Sequence, residues 1–211
     1  LTAAVTDPSV ITNSSNTAVG LTAGNSITSG GNNVFVGSNS GTADTTGAYN
    51  SALGYNSLAA NISGQYNTAI GGEALRNNTT GNNNTGVGYF TLWQMTAGFN
   101  NTALGREALY STTGGDSNTA VGYGALYSST NGANNTAIGM GAGYNITSGQ
   151  NNVCVGLNAG TDAVGNITTQ INQVVMGNNN TTSARIKVAW TVTSDQRDKT
   201  SISPIEYGLE F

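Results

Sequence analysis

The sequence predicts an all-β fold, a parallel β-solenoid or β-roll of 17-residue repeats, and three observations predict it. First, a glycine recurs at Gly20, Gly37, Gly54, Gly71, Gly88, Gly105, Gly122, Gly139 and Gly156, always seventeen residues apart. Second, an asparagine stands four residues before each of these: Asn16, Asn33, Asn50, Asn67, Asn84, Asn101, Asn118, Asn135 and Asn152. Third, the residue just before each glycine is aliphatic: Val19, Val36, Leu53, Ile70, Val87, Leu104, Val121, Ile138 and Val155. A disordered polar tract has no reason to hold phase through nine units.

Residues 1–15 form a lead-in, with Asp7-Pro8 as a turn. The shaft spans 16–183. In each repeat the phrase Asn-Thr-Ala-aliphatic-Gly alternates with the period of a strand. The Thr and the aliphatic residue point one way and the Ala points the other. Four residues after the anchor glycine the five central repeats carry Leu58, Leu75, Leu92, Leu109 and Leu126, while the outer ones carry Gly. This predicts a thicker apolar middle and slimmer ends. Ten residues after the anchor, Gly30 and its equivalents sit among Asn, Ser and Thr, which predicts a turn with the glycine at positive φ.

One coil is therefore expected to hold two short strands and two turns. Nine coils at ~4.8 Å give a rod about 43 Å long. The in-phase asparagines are expected to form a ladder, each side-chain amide bonding the next. The Ala face, one small residue per coil, reads as a seam for another chain, and a homotrimer is expected. Separate solenoids and interwound chains both fit.

After Gly160 the phase slips. Gln173-Val174-Val175-Met176-Gly177 is a degraded tenth copy, of the kind that caps a stack. Residues 184–193 form a connecting strand in which Ile186, Val188 and Trp190 alternate. Charge then rises: four of the six basic residues lie between Arg185 and Phe211. The chain opens Leu1-Thr2-Ala3 with neither Met nor a signal-peptide pattern, and reads as a piece of something longer.

Composition excludes several classes. A net charge of −4 without a basic cluster gives no electrostatic case for nucleic acid. No run reaches the ~20 apolar residues of a membrane-spanning helix. No phosphate loop, calcium repeat or metal-ligand cluster occurs, so no metal or cofactor is expected. The one cysteine, Cys154, fills an Ala slot of the repeat and reads as a small buried residue.

Ser194-Asp195-Gln196-Arg197-Asp198-Lys199-Thr200-Ser201-Ile202 is the most specific phrase in the chain. It resembles the opening of the intramolecular-chaperone domain at the C-termini of phage tail fibres and tailspikes, which begins Ser-Asp-x-Arg-x-Lys-x-x-Ile. The likeness covers residues 194–211, the start of such a domain. It implies assembly of three chains and then self-cleavage, with Ser194 as nucleophile, Lys199 as its base and the scissile bond adjoining Ser194. A serine hydroxyl needs such a base, and a lysine can serve once desolvation or a neighbouring charge such as Arg197 lowers its pKa. On spacing alone the phrase reads as a charged turn with Ser194 capping a helix, and the resemblance reverses that reading. The truncated chain is not expected to cleave itself, and no other enzyme activity is expected.

The repeats also resemble phage fibre shafts, and are similar to the head repeats of trimeric bacterial adhesins. The first resemblance implies a virion tail fibre whose partners are two further copies of itself, other tail proteins and a host surface glycan or outer-membrane receptor. The second implies the head of an adhesin on a bacterial cell surface. Three residue sets are weighed for binding or catalysis. Phe90, Trp93 and Phe99 could contact a glycan, or else fill the core or seam. Glu73 and Glu107 share a phase two coils apart, at a separation near that of an inverting glycosidase pair, as a depolymerase tailspike would need. The alternative is two exposed carboxylates beside Arg76 and Arg106. Thr17, Thr68, Thr85, Thr102, Thr119 and Thr136 could make an ice-binding ladder, but Val34, Val153 and Val174 at that phase predict an inward position.

Overall fold

The computed structural model describes residues 10–12, 15–162 and 165–183. The solenoid lies in the unit Leu1–Asn180, and a second unit, Thr181–Phe211, follows in sequence. The strands are β1 (Val10–Thr12), β2 (Thr17–Val19), β3 (Val34–Val36), β4 (Ser51–Leu53), β5 (Thr68–Ile70) and β6 (Thr85–Val87). They continue through β7 (Thr102–Leu104), β8 (Thr119–Val121), β9 (Thr136–Ile138), β10 (Val153–Val155) and β11 (Val174–Met176). All eleven form one sheet in sequence order. From β2 to β11 neighbours pair in parallel with equivalent residues opposite each other, Thr68 on Thr85 and Ile70 on Val87 for example. The degraded tenth copy joins in full register, Cys154 opposite Val175.

Each coil therefore has one three-residue strand, not two; the rest is turn. Tight turning explains this. Non-glycine residues take left-handed φ values at three points of a coil, as Glu73 (61°), Leu75 (51°) and Asn83 (57°) do in one of them. The anchor Gly71 stands at 125°. Four such corners close a ring of seventeen residues. Gly30 and its equivalents are absent from these corners, which corrects the expected positive φ. A Cβ at Gly64 would come within 2.4 Å of the Gly81 carbonyl oxygen in the next coil, so glycine stands there for close stacking.

The core is the inside of the coil. Alternation along the strand holds, but its sense is opposite to the expected seam: Ala52, Ala69, Ala103 and Ala120 are buried at 0–2% exposure. Threonines and aliphatics point outward, with Val34 at 45% and Leu53 at 51%. Small residues suit the strand wall because Leu58, Leu75, Leu92, Leu109 and Leu126 fill the lumen from the opposite wall. At the ends the glycines are not hollows. A Cβ at Gly41 would meet the Phe35 ring at 2.7 Å, so Phe35, in an Ala slot, fills the space a leucine takes elsewhere. Ile146 and Ile167 do the same near Gly143 and Gly160.

The asparagine ladder stitches the coils. Asn101 Oδ1 accepts from the Asn118 backbone N–H at 3.0 Å, while Asn101 Nδ2 donates to Gly115 O at 2.7 Å and to Asn84 Oδ1 at 3.1 Å. The same pattern runs from Asn16 to Asn152 and ends on Gln173, whose N–H donates to Asn152 Oδ1 at 2.9 Å. A second row, missed in the sequence, is made by threonines whose hydroxyls donate to the next coil's backbone, such as Thr79 Oγ1 to Thr96 O at 2.9 Å.

Among the described residues one charged side chain, Asp44, is fully buried. It accepts from the Gly47 N–H at 2.8 Å, Asn61 Nδ2 at 3.0 Å and Asn50 Nδ2 at 3.3 Å. Desolvation outweighs these donors and raises its pKa above 3.8. The folded chain then holds a proton that the unfolded chain releases, across the interval from 3.8 to the raised value. Stability is expected to fall as pH rises through that interval and to level off above it. Urea midpoints measured from acid to neutral pH check this, and Asp44→Asn should remove that slope.

Candidate functional site

Away from the strand face, Trp93, Tyr110, Tyr127 and Tyr144 occupy one phase of four successive coils. Parallel stacking at zero register shift sets their rings one above another. Trp93 and Tyr110 stack with centroids 5.2 Å apart, Tyr110 and Tyr127 at 4.9 Å, and Tyr127 and Tyr144 at 4.8 Å. Phe90 meets Trp93 and Tyr110 edge-on at 5.8 and 6.0 Å, and Tyr89 lies tilted against Phe90 at 4.0 Å. Each such pair adds about 0.5–1.5 kcal/mol beyond burial. Burial within the ladder pushes the Tyr127 phenol up.

Phe90 and Trp93 are thus brought together, on the outer surface and half-buried rather than in the core. Phe99 is not with them. It is 46% exposed on another wall, where its N–H donates to the Asp116 carboxylate at 2.9 Å. The three tyrosines were legible as a 17-residue recurrence, but single aromatics in separate repeats do not read as a cluster. Because stacked rings cover each other's faces, the ladder presents ring edges, with Tyr144 (39% exposed) at its end.

The carboxylates are engaged elsewhere. Glu73 is 8% exposed, accepts from Asn56 Nδ2 at 2.8 Å and from Trp93 Nε1 at 3.3 Å, and pairs with Arg76 at 3.0 Å. Glu107 pairs with Arg106 at 2.8 Å, and that guanidinium lies 5.6 Å from the Tyr123 ring centroid. Phe90 occupies the same phase in the coil between them. Both acids therefore hold arginines, and neither shares a cleft with the other.

The outward threonine row corrects the expected inward one. It is interrupted by Val34, Ser51, Val153 and Val174 and flanked by side chains from Val to Met, so no uniform hydroxyl lattice forms. Cys154 is buried and its thiol is pushed up to about 11 by desolvation, the behaviour of a packing residue. Among the described residues no group of three or more Cys, Asp or Glu side chains could hold a metal ion. Ser194, Lys199 and the 184–193 strand lie outside the described residues. Comparison with family models, curated proteins and solved structures gave no match.

Proposed function

We propose that the chain is a structural and host-adhesion segment of a homotrimeric phage tail fibre that ends in the start of a self-cleaving assembly chaperone. The observation that carries this reading is a stitched solenoid followed in sequence by Ser194-Asp195-x-Arg197-x-Lys199-x-x-Ile202. A shaft must resist shear and proteases, and a solenoid whose every coil is bonded to the next meets that need. Other tail proteins at one end and a host surface glycan or outer-membrane receptor are its partners. Phe90, Trp93 and the tyrosine edges beside them are the surface offered to a glycan, and the location is the virion.

In the cleavage step, neutral Lys199 takes the proton of Ser194 Oγ, which attacks the Thr193 carbonyl carbon. The amide nitrogen leaves with that proton, giving an ester between Thr193 and Ser194. Water then hydrolyses the ester, leaving a Thr193 carboxylate and a free Ser194 amine. The test is expression from the native gene as wild type, Ser194→Ala and Lys199→Ala. A split in the wild type alone, with the released fragment starting at Ser194, is the expected result. An unsplit wild type, folded and assembled, would leave the phrase as a charged turn and favour the adhesin-head reading.

A further inference from the structure

The outward row of the parallel sheet is aliphatic in every coil, and it is uncovered. Leu53, Ile70, Leu104 and Ile138 are 40–51% exposed, and Met176 is 64% exposed. One residue past the anchor glycine runs a second row that includes Leu21, at 69%, and Tyr55, at 57%. Neither the aliphatic row nor the threonine row beside it contains an Asp, Glu, Lys or Arg in any described coil, while the row past the glycine carries Arg106. Ten strands at ~4.8 Å, each of three residues at ~3.3 Å, give a sheet face about 43 Å by 10 Å. That area, about 430 Å², lies within the ~300–600 Å² of the largest apolar patch on a typical monomer, a patch that is often functional.

We propose that this strand face is the seam along which three copies of the chain associate, side by side and in register. The inference rests on the trimeric reading above and moves its seam from the alanines to the aliphatics. Register selects the occupant. The row repeats once per coil with zero shift between strands, so a partner that meets every rung must have the same rise, and a second copy of this chain does. At the N-terminal end β1 pairs antiparallel with β2 and occupies that sheet edge, which blocks end-on strand addition there.

Sedimentation equilibrium of the full chain tests this. The wild type is expected at three chain masses. Leu53→Lys, Ile70→Lys and Leu104→Lys combined should shift the assembly midpoint upward at least 100-fold in concentration, to a single chain mass. Leu53→Thr, Ile70→Thr and Leu104→Thr match the neighbouring row and keep the strand pattern, so they give the same reading should the lysine variant misfold. Gln65→Lys with Ala97→Lys, on exposed turns, should leave the trimer intact. A wild-type trimer that both seam variants retain would overturn the seam and spare the trimer. A monomeric wild type would overturn both.

Discussion

Asn101→Ala is expected to cost about 2–6 kcal/mol, measured by urea unfolding followed by circular dichroism. The substitution strands two buried backbone groups at once: the Asn118 N–H, bonded to Oδ1 at 3.0 Å, and the Gly115 carbonyl, bonded to Nδ2 at 2.7 Å. Each unsatisfied buried group costs about 1–3 kcal/mol. No nearby side chain can replace the amide, because the flanking rungs, Asn84 and Asn118, already bond their own turns through Gly98 and Gly132. Thr102→Ala, one residue on and exposed, should change stability by only about 0.5 kcal/mol. A loss below ~1 kcal/mol for Asn101→Ala would mean that the ladder is not what joins the coils.

Gly71→Ala is expected to be as damaging, through backbone rather than side chain. Its φ of 125° is closed to L-residues without strain of about 1–3 kcal/mol. The new Cβ would also stand 2.6 Å from the Gly88 carbonyl oxygen, and overpacking of that kind costs about 1–3 kcal/mol more. The total, about 2–6 kcal/mol, falls on one interface of a one-dimensional stack, so thermal unfolding should split into two transitions rather than shift as one. Gly124→Ala is the contrast. Its φ is 63°, and the nearest atoms to a Cβ are Tyr144 ring carbons at 3.5 Å, so a loss of about 1–2 kcal/mol is expected. Equal losses for the two would refute the close-approach argument.

These two residue types, Asn and Gly, are also where the sequence was most readable. A spacing that never varies dictates which residues stack, and stacking alone places Asn67 over Asn84 and Gly71 over Gly88. The side of the wall was not readable. Period-two alternation separates Ala69 from Ile70 but does not say which one faces in, and size misleads here. A narrow coil needs small residues on its strand wall because Leu75 reaches across from the other. Nor was the corner at Leu75 readable, since a leucine at a φ of 51° follows no local preference and is held by the lumen its side chain fills. The aromatic ladder lay between these cases. Trp93, Tyr110, Tyr127 and Tyr144 keep the period, yet only zero-shift pairing turns that recurrence into stacked rings.

The proposed assembly closes along the strand face, and a disulfide reports on that seam most directly. Ile70→Cys places a thiol on the seam, where equivalent residues of in-register copies face one another; Tyr110→Cys places one on the aromatic wall. Cys154, buried and with its thiol raised to about 11, stays silent under mild oxidation. Linked chain pairs are expected for Ile70→Cys, at a yield that does not fall on dilution, and none for Tyr110→Cys. Linkage at position 110 but not at 70, or at neither in an assembled protein, would rule out the strand face as the seam.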